Sequence, residues 1–87
     1  MPTFLDHHPV AHAATTEVAL EALQAQIRAG REDDFGVKYV NAYVAVNGEG
    51  YCISDGPDPG AVVDSHSALG YTIDIADVIE VVPLSEA

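Results

Sequence analysis

The run FGVKYVNAYVAVNGEGYCIS, Phe35 to Ser54, constrains this chain more than any other stretch. It is apolar, rich in Val and Tyr, and interrupted once, at Asn47-Gly48-Glu49-Gly50. Two β-prone runs joined by a short Asn-Gly loop read as a β-hairpin, because those residues accept the backbone angles that a tight turn demands. With strict alternation across the first strand, Val40, Ala42, Val44 and Val46 fall on one side and Tyr39, Asn41 and Tyr43 on the other. A second face meeting only water would carry Thr, Lys and Glu. Aromatic rings and an amide imply a face that is covered, that binds something, or both.

The flanking sequence supplies a strand and a helix on either side. Thr3 to His8 alternates as a first strand, which Pro9 ends because it has no N–H to donate. The Ala11–Ala14 segment with His12 connects it to a helix capped by Thr15 or Thr16. Leu20, Leu23 and Ile27 form an apolar stripe on that helix, and Gly30 stops it. Arg31-Glu32-Asp33-Asp34 is a charged turn into the hairpin. After the hairpin, Asp55-Gly56 turns, Asp58 caps and Pro59 opens a second helix, which runs to about Leu69 with Gly70 as its stop. Val62, His66 and Leu69 share its buried stripe. Tyr71 to Asp77 reads as a loop, Val78 to Val82 as the last strand ended by Pro83, and the final residues as a frayed tail.

The order β-α-β-β-α-β predicts an α+β fold of the ferredoxin-like kind. Two right-handed βαβ units give a four-stranded antiparallel sheet with two helices on one face. Eighty-seven residues make a single domain, with an ordered core over about 3–83. The helices cover one sheet face and leave the other open. Pointing Leu5 and Ile53 toward the helices puts Phe4, Asp6, His8, Cys52 and Ser54 on the open face beside Tyr39, Asn41 and Tyr43. Such a face is too apolar for bare solvent, so a homodimer formed through it is expected.

Charge narrows the partners. Fourteen acidic residues against three basic ones give a formal net charge of -11. Phosphate backbones and anionic membrane surfaces are recognised by clustered Lys and Arg, which are absent, so neither nucleic acid nor membrane is expected as a partner. Cations remain open. No run approaches the roughly 20 apolar residues of a membrane-spanning helix, and the single cysteine allows no intrachain disulfide, so a soluble cytoplasmic protein is expected.

Three sets of residues carry chemistry. Asp6, His7, His8 and His12 put carboxylate and imidazole donors close together, a supply suited to a divalent transition metal. His7 and His8 point to opposite faces of a strand, so Asp6 and His8 are the pair able to share one ion. Cys52 is either a small buried hydrophobe or a thiolate ligand. His66, on an apolar stripe, is either a core histidine or a ligand. With the sides assigned as above it lies across the sheet from His8 and Cys52, and His7 is the histidine it can meet. Asp33-Asp34 and Asp55 with Asp58 read as turn and cap residues, and no phosphate-cradling glycine loop is present.

The segments PTFLDxH at the start, FGVKYVNAYV, YCISDGPDPGAV and HSALGYTIDIADVIEV, taken in order over Pro2 to Val82, resemble a family of small nickel-binding proteins common in actinobacteria and formerly a domain of unknown function. The resemblance implies a ferredoxin-like homodimer that binds metal rather than an enzyme. His8, Cys52 and His66 occupy the matching positions of its motifs. Two departures stand out: Ala11-His12-Ala13 replaces a Pro-Gly after the first strand, and the loop Tyr71–Asp77 is longer.

The expectation is a dimeric protein binding a divalent transition metal, nickel first, for sequestration or sensing. His8, Cys52 and His66 are the leading ligands, with Asp6 and His7 as further donors. Neutral imidazole donors predict an affinity that falls as pH drops through about 6.5. The competing expectation is a small organic molecule held between sheet and helices, as in cofactor-free isomerases and monooxygenases of this architecture, with Tyr39, Asn41, Tyr43 and His8 lining the pocket.

Overall fold

A computed structural model describes residues 1–9 and 16–87. The connection Ala11–Ala14, His12 and the alternative cap Thr15 lie outside the described residues. Strands β1 (Thr3–His8), β2 (Lys38–Val44), β3 (Gly50–Asp55) and β4 (Val78–Val81) form one antiparallel sheet in the order β2-β3-β1-β4. Helices α1 (Glu17–Ala29) and α2 (Pro59–Leu69) complete the βαββαβ, ferredoxin-like arrangement.

Local chemistry sets both helices. Thr16 caps α1 by accepting the Ala19 N–H at 3.1 Å, and Asp58 caps α2 by accepting the Ala61 N–H at 2.8 Å, with Pro59 as the first helical residue. Gly70 ends α2 in the left-handed conformation, at φ 99°. A Cβ there would lie 3.2 Å from that of Ala19, so this glycine also lets the end of α2 close against α1.

The hairpin forms where the sequence places it. Its loop is closed by Ala45 N–H to Glu49 O at 2.7 Å and Gly48 N–H to Ala45 O at 2.9 Å, with Val46 fully exposed at the tip. The alternation within β2, however, is broken. Tyr39 pairs with Ser54, yet Asn41 pairs with Ile53, so Val40 is an extra residue accommodated in a bulge. The bulge flips every side chain beyond it. Tyr39 points to the helices and is buried, as does Ala42 opposite Cys52, while Asn41 and Tyr43 point away. Tyr39, Asn41 and Tyr43 therefore do not share a face.

The sides of β1 and β3 are also the reverse of the sequence expectation. Phe4, Asp6, Cys52 and Ser54 are all buried beneath the helices, joined by Tyr39, Val37, Val62 and Val78. Leu5 lies opposite both Ile53 and Ile79, and this row occupies the open face with Asn41, Tyr43, Tyr51 and His7. In a strand a shift of one residue exchanges the faces completely. Hydrophobicity favours Leu5 and Ile53 as the inward pair. The packed structure instead turns Phe4 into the core and brings Asp6 to within 3.1 Å of His66 on α2.

Smaller differences follow. Residues 71–77 include a 3-10 turn, Ile75–Asp77, capped by the Asp74 carboxylate accepting the Ala76 N–H at 2.9 Å. A second such turn spans Leu84–Glu86 in what reads as a frayed tail. Asp55 ends β3 and accepts the Thr3 hydroxyl at 2.6 Å, rather than serving only the turn. No helix among the described residues is long and apolar enough to cross a membrane.

Candidate metal centre

With the faces set this way, four donors meet. β1 contributes Asp6 and His8, two residues apart and on one side. β3 contributes Cys52, directly opposite Asp6, and α2 lowers His66 onto them from above. One ligand atom from each lies within 4.8 Å of all the others. Asp6 and His66 are completely buried, Cys52 nearly so, and the His8 side chain is 13% exposed. The separation of His66 from His8 and Cys52 inferred from alternation is thus removed, because all three face the same layer. His7 is the histidine left out. It lies on the open face, 3.1 Å from the Glu49 carboxylate, with its ring tilted by 30° against that of Tyr51 at a centroid distance of 5.1 Å. It neither meets His66 nor joins the cluster.

Asp6 is the hub. Its Oδ2 is 2.5 Å from His8 Nε2 and 3.1 Å from His66 Nε2. Burial alone would raise its pKa, but attraction to the adjacent His66 and His8 rings outweighs that and holds it below the ordinary 3.8. Burial, reinforced by the adjacent Asp6 carboxylate, pushes the Cys52 thiol well above its ordinary range, so the metal-free side chain is a neutral thiol at physiological pH.

The orientation of His66 is informative. Its Nδ1 lies 2.8 Å from the Val62 carbonyl oxygen, which can only accept, so Nδ1 carries a hydrogen. A neutral ring then directs the Nε2 lone pair toward an anionic carboxylate. Although only 3.1 Å separates Nε2 from Asp6 Oδ2, no hydrogen bond is aligned between them, and Asp6 Oδ1 is unpartnered as well. Two buried electron-rich atoms facing each other need a proton or a metal cation between them. A ring N–H donated to a backbone carbonyl is also how metal-ligating histidines are commonly held. Carboxylate, thiol and two imidazoles are a donor set that fits a divalent transition metal.

Residues that the sequence did not assign to a metal site support this arrangement. The Tyr39 hydroxyl is 2.6 Å from Ser65 Oγ and 3.3 Å from His66 Nδ1, and Ser65 in turn donates to Asp33 Oδ2. Asp33 keeps its turn role through Oδ1, which accepts from Phe35 and Val37, while its other oxygen anchors the network. Burial raises the Tyr39 pKa, despite the Ser65 hydrogen bond, and keeps it a neutral phenol. Tyr71 sits edge-on to His8 at 6.0 Å and to His66 at 6.3 Å. No local pattern in the sequence marks these partners, because 26 and 32 residues separate the bonded pairs.

Beside the cluster, a cavity of about 640 Å³ opens between α1 and the β2–β3 side of the sheet. His8 lines it, and Asn41 and Tyr43 border it along the edge strand β2, but Tyr39 does not.

No family model matches the chain, and no curated protein matches it. Among solved structures it is similar to a protein described as "Crystal structure analysis of SCO4226 from Streptomyces coelicolor A3(2)". The two are 27% identical, with a TM-score of 0.62, over 91% of this chain and 94% of that chain. The likeness therefore extends through nearly all of both chains.

Proposed function

We propose that this protein binds a divalent transition metal, nickel first, with Asp6, His8, Cys52 and His66 as its ligands, and that it does so as a homodimer for sequestration or sensing. The observation that carries the reading is the buried, unpartnered Nε2 of His66 facing the Asp6 carboxylate within a four-donor cluster. Nickel is the choice favoured by the resemblance in the strand and helix motifs, and mixed imidazole, thiolate and carboxylate donors accommodate it. A bound cation would neutralise the carboxylate, occupy the free imidazole lone pair and take the place of the Cys52 thiol proton. Binding thus releases protons and weakens in acid. Leu5, Ile53 and Ile79 form an apolar row on the helix-free face, and this supports dimerisation through the open side of the sheet.

Calorimetric titration of the full chain with nickel, zinc and copper tests the reading, with His8→Ala and His66→Ala beside the parent. The expected result is one metal per chain in the parent and a loss of heat in both variants. Absence of heat with all three metals at neutral pH would overturn it.

A further inference from the structure

The cavity beside the donor cluster has chemistry of its own. At about 640 Å³ it falls in the range that holds a small organic molecule. Leu20, Leu23 and Ile27, the apolar stripe of α1, form one wall, and His8 and Cys52 form part of the inner end. Its two polar extremities differ in charge. Glu17 lines it in the first turn of α1, and Arg28 lines it in the last.

The cluster lies beside the first of these. Gly70 closes against Ala19, and Tyr71, the next residue, sits edge-on to His8 at 6.0 Å. Arg28 follows Ala19 by nine residues, about 13 Å along a helix axis. It has no carboxylate partner among the described residues, although the chain carries fourteen acidic side chains against three basic ones. An unpaired guanidinium on the rim of an apolar groove is a fork for a carboxylate, and Glu17 repels an anion from the other end.

We propose that this cavity is a binding site for an elongated, mainly apolar organic acid. Its carboxylate meets Arg28, and its hydrocarbon or aromatic body lies along Leu20, Leu23 and Ile27 toward His8 and Cys52. The site stands on its own lining and does not require the metal. Because the cavity and the donor cluster share His8 and Cys52, occupancy of one changes the affinity of the other, and equally in both directions.

The test is calorimetric titration of the full chain with decanoate and with naphthoate, in the absence of metal and again with one equivalent of nickel. At least one of the acids binds with one molecule per chain. Arg28→Gln weakens that binding roughly tenfold, as expected for one charge-assisted pair. Leu20→Trp, placed at a half-exposed cavity position where the fold tolerates a larger ring, abolishes it. Circular dichroism and nickel titration show both variants folded and unaltered at the metal cluster. Failure of both acids to bind, or binding that Leu20→Trp leaves unchanged, overturns the proposal. Loss of nickel binding alone, with acid binding intact, overturns the metal reading and leaves this one standing.

Discussion

Nε2 of His66 lies 3.1 Å from Oδ2 of Asp6, with both side chains sealed from water. His66 hangs from α2 and Asp6 rises from β1, so this approach ties the helix layer to the centre of the sheet. Four consequences can be measured.

Asp6→Ala removes the carboxylate to which the His8 ring is bonded at 2.5 Å. A hydrogen bond to a charged group contributes about 1.5–3 kcal/mol, and a loss of that size is expected in urea unfolding of the metal-free protein. Nickel affinity should fall by roughly 100-fold or more, beyond the 10–100-fold cost of losing an outer-shell partner. A variant as stable as the parent would show that the pair contributes nothing to the fold.

The depressed Asp6 pKa links stability to acid. Because the native carboxyl titrates below the 3.8 of its ordinary state, the unfolded chain takes up the proton first as pH falls. Its contribution is complete above that value and is lost as pH drops through the native pKa. Urea midpoints should therefore decline as pH falls through and below 3.8 more steeply in the parent than in Asp6→Asn. Parallel curves would remove Asp6 as the source.

Tyr39→Phe deletes the hydroxyl shared by Ser65 and His66 while keeping the ring in the core. Ser65 retains Asp33 and His66 Nδ1 retains Val62, so the expected cost is about 1 kcal/mol rather than collapse. Metal affinity should drop by roughly tenfold or less through looser positioning of His66. An unchanged affinity would limit Tyr39 to a packing role.

Cys52 is buried and held as a neutral thiol, so a disulfide reagent should label it far more slowly in the native metal-free protein than in the unfolded chain. Nickel should add a thiolate charge-transfer band that Cys52→Ser lacks. Equal bands in the two proteins would take Cys52 out of the ligand set.

The sequence by itself determined the succession of elements. Asn-Gly turn chemistry, Thr16 and Asp58 caps, Pro59 and the glycine stops act within a few residues, so they are legible without the fold. It also singled out Asp6, His8, Cys52 and His66 by donor type, together with His7, which the cluster does not include. It could not show which way their strands face. Apolar residues occur on both sides of β1 and β3, and the rule of alternation has no memory of the extra residue Val40, so hydrophobicity alone pointed Leu5 and Ile53 inward. Tertiary structure decided that question. Burying Phe4, Asp6, Cys52 and Ser54 lets Tyr39 reach Ser65 and brings His66 to Asp6, interactions between residues distant in sequence that exist only once the sheet has met α2. The Tyr39 ring, read as part of an open face, thereby became a support of the site beneath the helices.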